Sequence, residues 1–356
     1  MSSALAVAMP TVEEEIWRYS RIGELDLSTF EPAPVPWATS STEIAVAGGE
    51  SDIGVAMSTP ADVFAELNAQ HCGRPIVVRT KRGQVIETPV VIDHHLTVDG
   101  SAVFPRLVID AADDSEITVV QRFTSDDIRA FVAPVVELRA AVSARVKFLV
   151  VNDLGTKVWH IGSLAAAGDR DSSTTLAAVS LGGDYARQRI DARLDGQGAS
   201  GEQIAVYFGE GDQLHDFRTL QDHNAPKTTS SLLFKGALED RAKSVYTGLI
   251  KVRPHAKGSV AYQTNRNIKL SDATWAESVP NLEIETNDVR CSHASAVGPI
   301  DEDQRFYLES RGVPTRIAER LIVIGFFDEV FERLPAQALV APLRARVAAK
   351  LERISQ

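Results

Sequence analysis

The chain has 356 residues, 44% hydrophobic and 24% charged, with a mean hydropathy of −0.07, which is the composition of a globular protein with a sizeable core rather than a disordered or fibrous one. A formal net charge of −11 and an isoelectric point near 5.3, with no basic run anywhere, argue against a nucleic-acid partner, because such affinity comes from clustered Lys and Arg. The two cysteines, Cys72 and Cys291, are too few for a disulfide framework and point to a reducing compartment.

In chain order, MSSALAVAMP lacks a positively charged region and runs into Glu13, Glu14 and Glu15, which argues against a secretory signal. No apolar run approaches the ~18 residues that cross a bilayer, so a cytoplasmic protein without membrane contact is expected. Residues 1–72 read as an N-terminal segment, partly flexible and partly helical. Pro32, Pro34 and Pro36 mark a linker, since proline lacks the amide donor and restricts its predecessor. In STPADVFAELNAQ a helix is predicted, with Ser58 or Thr59 as cap, Pro60 in the first turn, and Val63, Phe64 and Leu67 at helical spacing.

Residues 73–300 change character. Short β-branched or aromatic runs such as RPIVVRT, SEITVVQRF, VKFLVV, IAVYFG and NLEIET alternate with polar turns, predicting a mainly β body. The stretch TSDDIRAFVAPVVELRAAV is the one candidate helix within it. A sandwich and a coil of short parallel strands compete, and the scarcity of Asn-Gly hairpin signals favours the coil. Such a stack needs its ends covered, a task for flanking helices.

Residues 301–356 read as a helical domain. DEDQRFYLESRG has acidic residues in its first turn and a stop at Gly312. Pro314 opens a second helix with Ile317, Leu321, Ile324, Phe327 and Phe331 as its apolar stripe. A third, from about Ala336 to Ile354, carries Leu343, Val347, Leu351 and Ile354 on one face.

Few residues suggest chemistry. Cys291 and His293 form a Cys-x-His pair in NDVRCSHASAVG; on a strand they share a face, and thiolate and imidazole are both ligands for iron or zinc. On spacing alone the plainer reading is a packed cysteine beside a surface histidine. His94 and His95 would face opposite ways and read as solvated loop residues. His223, in LQDHNAPKTTSS, reads as a corner held by side-chain hydrogen bonds. Asp110, Asp113, Asp114 and Glu116 lack regular ligand spacing and read as a solvated turn. Gly182-Gly183 and Gly209-Glu210-Gly211 read as turn glycines. No phosphate loop, nucleophile elbow or dinucleotide fingerprint is present, so no catalytic set can be named.

Taken together, HNAPKTTSS, YTGLIKV, QTNRNIKLS, PNLEI, NDVRCSH and FYLESRG resemble the SufB/SufD family of iron–sulfur cluster assembly scaffolds, and EEEIWRYSRIGELDLSTFEP resembles the Trp-Arg-Tyr opening of SufD-type members. The resemblance implies a right-handed parallel β-helix flanked by N-terminal and C-terminal α-helical segments, and a non-enzymatic subunit. It further implies pairing with a SufB-like subunit, or with itself as a homodimer, through the β-helix, and docking of a SufC-like ATPase on the C-terminal helices. A transient iron–sulfur cluster would form at the partner interface. The low cysteine count and the CSH motif favour the SufD side. By the same match His293 is the implied cluster ligand from this chain and Cys291 a supporting or interface thiol. Where the family pattern has Gly-Ala-Thr after the histidine, this chain has Ala294, Ser295 and Ala296. Nothing in the residues supports a flavin, and Cys72 is expected to be buried and structural. A β-helix enzyme, either a polysaccharide lyase or an acyltransferase, is the alternative, without the cleft carboxylates or hexapeptide repeats it would need. A purely structural interaction subunit is the other.

Overall fold

The structure is a computed structural model that describes residues 5–353. Its body is a coil of strands of about eight turns. The strands are β1 (Ile76–Arg79), β2 (Val90–Leu96), β3 (Arg106–Ala111), β4 (Glu116–Ser125), β5 (Val135–Ala140), β6 (Arg145–Asp153), β7 (Val158–Gly168) and β8 (Ser173–Ser180). They continue as β9 (Tyr185–Leu194), β10 (Ser200–Gly209), β11 (Leu214–His223), β12 (Thr229–Leu238), β13 (Lys243–Val252), β14 (Ser259–Lys269), β15 (Trp275–Ile284) and β16 (Val289–Pro299). Odd-numbered strands pair in parallel in one sheet and even-numbered strands in the other. The expected β-helix is borne out.

The corners explain how an irregular sequence keeps this regularity. Each odd-to-even corner before the last holds one residue in the left-handed region: Gly83, Asp114, Ser143, Asp171, Gly198, Lys227 and Gly258. The amide of each donates to the corner of the next turn, from Gly83 to the Asp113 carbonyl at 2.9 Å through to Gly258 to Asp288 at 2.7 Å. The corners are thus a backbone ladder of their own, and the backbone polar groups there are satisfied.

The lumen is apolar in the early turns, filled by residues such as Ile92, Leu107, Ile109, Phe123, Leu138 and Phe148. It turns polar later, where Tyr207 Oη donates to Asn267 Oδ1 at 2.6 Å and Asn265 Nδ2 donates to Tyr207 Oη at 3.1 Å. Large polar side chains fit because glycine faces them: a Cβ on Gly236 would sit 2.0 Å from the Tyr207 ring.

Both outer faces are covered. On the odd-numbered sheet lie Trp17, Ile22, Leu25, Leu27 and Phe30 with helix α1 (Val63–His71), packed on Phe131, Trp159 and Tyr185. Trp17 is clamped by the Arg187 guanidinium, 3.9 Å from its ring centre. Asp216, fully buried, holds Arg187 at 2.6 Å and Arg218 at 3.0 Å. On the even-numbered sheet lie α3 (Thr315–Phe331) and α4 (Val340–Arg353), with Val323, Phe327, Phe331 and Val347 against Val179, Val206 and Phe208, and α2 (Glu302–Ser310) packs on α3.

Several expectations need correction. The cap of α1 is Asp62, whose carboxylate accepts from the Phe64 and Ala65 amides at 3.0 Å, not Ser58 or Thr59. The TSDDIRAFVAPVVELRAAV stretch is not helical: it contains the short strand Ala130–Val132 and β5, because its apolar residues fill the stack on both faces. The proline-rich linker partly joins the fold, since Glu31–Pro32 pairs in parallel with Ser101–Ala102. The buried face of α3 is Ala318, Val323, Phe327, Val330 and Phe331, and Ile317 and Leu321 are half exposed. On α4, Leu343, Val347 and Leu351 are buried as expected, and Ile354 lies outside the described residues. Most consequentially, the C-terminal helices cover a side of the coil and not its end. The start is closed by Ala45–Ala47 and Ala38–Thr39, antiparallel to β1 and β2, whereas β15 and β16 are the last strands of their sheets.

Candidate functional site

The register of the final turn decides which way its side chains point. In β14, Ala261, Gln263, Asn265 and Asn267 are buried toward the lumen, and Tyr262 and Arg266 are exposed. Parallel pairing aligns Ala261 with Cys291, Gln263 with His293 and Asn265 with Ser295. In a parallel ladder aligned residues share a face, so Cys291 and His293 belong to the lumen face of a last turn on which no further strand stacks among the described residues. Cys291 confirms this, packing beside Ile250, Val252 and Ala261. Both expected site residues therefore lie on one face, as their spacing requires on a strand.

Their environments differ. Cys291 is partly buried, and desolvation pushes its thiol up from the ordinary value; a proton must leave before it binds metal as thiolate. His293 is exposed. On the facing strand β15, Leu282 and Ile284 are 38% and 42% exposed, and Val297 of β16 is 41% exposed, large values for residues aligned with the interior. Pro280, without an amide donor, is tolerated in β15 because that strand is an edge. The end of the coil thus combines two unpaired strand edges, an apolar surface, one thiol and one imidazole. Imidazole and thiolate are suitable donors for iron. Among the described residues no three His, Cys, Asp or Glu side chains gather as a metal site, so this donor pair must be completed from elsewhere to hold a cluster.

His94, His95 and His223 each have partners of their own away from this pair. His94 is buried within β2, not on a solvated loop: its Nδ1 donates to the Pro36 carbonyl at 2.7 Å, its Nε2 accepts from Gln121 at 3.1 Å, and burial lowers its pKa to about 4. Sequence reasoning missed it because an HH pair in a polar stretch looks solvated. His95 points outward to Asp126, 3.2 Å away. His223 forms the expected corner, with Nδ1 donating to Thr228 Oγ1 at 2.7 Å and Nε2 accepting from Ser230 Oγ at 2.8 Å. Asp110 is paired with Arg79 and Arg139 on neighbouring strands. Cys72 is buried beside α1, and burial raises its thiol pKa.

A second surface lies at the helical tail. Phe306, Tyr307, Ile317 and Leu321 are 70%, 57%, 50% and 50% exposed. Of these, Leu321 also lines a groove of about 760 Å³ between α2, α3 and the end of β16, together with Ile268, Val297, Leu308 and Phe326 among others. Exposed apolar residues clustered in this way mark interaction surfaces. No helix among the described residues is long and apolar enough to cross a membrane.

Comparison with known proteins agrees with this architecture. Residues 94–326, the greater part of the chain, match the family described as SUF system FeS cluster assembly, SufBD core domain. A Mycobacterium leprae protein named as an iron–sulfur cluster assembly SufBD family protein is 31% identical over 98% of this chain and 91% of its own length. The Escherichia coli iron–sulfur cluster assembly protein SufD is 27% identical over 99% of this chain and 91% of its own. The Bacillus subtilis SufD is 29% identical over 75% and 62%. With a β-helix of this length and a family match across most of it, the chain belongs to the SufB/SufD family of iron–sulfur cluster assembly proteins.

Proposed function

We propose that the chain is a SufD-like scaffold subunit that joins a SufB-like subunit through the open end of its β-helix, holds a nascent iron–sulfur cluster at that seam, and docks a SufC-like ATPase on its C-terminal helices. In this reading residues 1–72 strap the coil, residues 73–300 form it and residues 301–356 are the dock. The subunit is non-enzymatic and works in the cytoplasm.

The observation that carries the reading is the uncovered last turn. An unpaired strand edge is a template for another chain, and here two edges flank Leu282, Ile284 and Val297 with Cys291 and His293 between them. Edge pairing would supply affinity, the apolar residues would exclude water, and the cluster, as cargo, would take His293 as this chain's ligand. Cys291 supports the seam. The remaining ligands come from the partner, in keeping with a donor set too small to close a site alone.

Co-expression with the SufB-like and SufC-like subunits, followed by mass measurement, tests the assembly. Leu282→Asp with Ile284→Asp should abolish pairing with the SufB-like subunit. Phe306→Asp with Leu321→Asp should abolish SufC binding and leave that pairing intact; these residues are exposed, whereas deleting the helices would strip Phe327 and Phe331 from the sheet. His293→Ala should lower the iron and sulfide bound by the reconstituted complex. Full cluster content in that variant reduces the chain to an interaction subunit.

A further inference from the structure

Gln263 is buried at 1% exposure on the lumen face of β14, and neither its amide nitrogen nor its carbonyl oxygen has a hydrogen-bond partner. The lumen glutamines Gln121, Gln203 and Gln221 also have a carbonyl oxygen without a partner, but each nitrogen is satisfied, Gln121 Nε2 donating to His94, Gln203 Nε2 to the Leu220 carbonyl and Gln221 Nε2 to Ser230 Oγ; in Gln263 both atoms are orphaned. The next lumen residues on the same strand are also satisfied, with Asn267 Nδ2 donating to Asn265 Oδ1 at 3.0 Å. A buried polar group left without a partner costs about 1–3 kcal/mol, and an aliphatic residue of similar size would avoid that. The surroundings nevertheless make room for this amide: on β13 the facing position is Gly248, where a Cβ would lie 2.5 Å from Gln263 Nε2. Packing accommodates the glutamine without explaining it.

The register supplies an explanation. Gln263 is aligned with His293 in the next and last turn, and successive strands of a sheet are about 4.8 Å apart, within reach of an amide below an imidazole. Neutral imidazole has one N–H donor and one lone pair. A histidine bound to metal through one nitrogen has its tautomer and ring orientation fixed by an acceptor on the other.

We propose that Gln263 is the positioning residue of His293, its carbonyl oxygen accepting the N–H of one ring nitrogen so that the lone pair of the other faces out of the last turn toward the cluster. The proposal rests on the reading of His293 as a cluster ligand. In the free chain His293 is exposed and solvated. A partner chain closing over the turn removes that water and leaves the amide as the acceptor within the lumen. Gln263 itself touches neither iron nor sulfide.

The test uses the full complex, reconstituted with iron and sulfide after labelling histidine with ¹⁵N. Two quantities are read: the hyperfine coupling of a histidine nitrogen to the reduced cluster, and the rate at which a chelator removes the iron. Wild type should show the coupling, and His293→Ala should abolish it. Gln263→Leu should weaken or reorient the coupling and speed iron loss by roughly 10–100-fold, the usual effect of removing such a support. Measured separately on the isolated chain, where both amide atoms of Gln263 lack a partner, the thermal midpoint of this variant should be unchanged or higher than wild type. Gln263→Glu, which keeps an acceptor oxygen, should restore the coupling, and Gln263→Met replaces the leucine variant if that one does not assemble. Wild-type coupling and iron retention in both apolar variants would overturn the positioning role and leave His293 a ligand. A wild-type complex without histidine coupling, whose cluster content is unaffected by His293→Ala, would overturn the ligand reading and the proposal with it.

Discussion

Removing the Asp216 carboxylate should release the N-terminal segment from the coil. Asp216 is fully buried and accepts three hydrogen bonds, from Tyr185 Oη at 2.7 Å, Arg187 Nη1 at 2.6 Å and Arg218 Nε at 3.0 Å. The two arginines it orients are the clamps on that segment: Arg187 Nη2 donates to the Ile16 carbonyl and Arg218 Nη2 to the Arg18 carbonyl, each at 2.7 Å. Asp216→Ala leaves the Arg187 cation, 2% exposed, without its hydrogen-bonded carboxylate, a change that destabilises by about 3–5 kcal/mol. Against a typical total of about 5–15 kcal/mol, that is a large fraction. Guanidinium unfolding gives the loss, and limited proteolysis within residues 11–31 should accelerate in parallel. Asp212→Ala is the control: its partner Arg241 is 67% exposed and Asp212 is 65% exposed, so solvent screens the pair and the loss should be small beside that at Asp216. A loss at Asp216 no greater than the control, with unchanged cleavage, would refute the clamp.

Acid should destabilise the coil before its carboxylates titrate. Burial lowers His94, His160 and His223 from 6.5 to about 4 and His215 to about 3, so between those values the unfolded chain binds more protons than the folded one. Stability is then complete above about pH 6.5 and falls as pH drops toward 4, by up to about 1.4 kcal/mol per histidine per pH unit; unfolding midpoints that stay flat from pH 7 to pH 5 would contradict this. Gly236→Ala places a methyl 2.0 Å from the Tyr207 ring and 2.6 Å from Asn267 Oδ1 and should destabilise by about 1–3 kcal/mol. Gly325→Ala in α3, where nothing lies within 4 Å of the new Cβ, should stabilise by up to about 1 kcal/mol; a thermal melt that ranks the two the other way would refute the packing described for the lumen.

The all-β body and its helical tail were legible because β-branched runs and amphipathic helices carry their own periods. His223 was legible because hydroxyl residues crowd its corner. The repeat itself was not. Its left-handed corner position is filled by Gly83, Asp114, Ser143, Asp171, Gly198, Lys227 and Gly258 in turn, so the backbone repeats while the residue types do not. The polar lumen was hidden for a related reason: Gln263, Asn265 and Asn267 alternate like a solvated strand face, and only the stack shows that this face is the inside. For the site, the Cys-x-His spacing indicated a shared face on a strand, but not that the face lies over an uncovered lumen. Sequence also could not show that the terminal helices leave the end open, because α3 is apolar nearly all round and its buried side is chosen by the sheet it meets.

Hydrogen exchange of residues 275–299, with and without the SufB-like subunit, tests the central claim most directly. Amides on the free edges of β15 and β16 should exchange readily in the isolated chain and slow by at least about tenfold in the complex, equal to about 1.4 kcal/mol of added protection. Exchange there that is the same in both states, with protection gained elsewhere on the coil, would contradict the account.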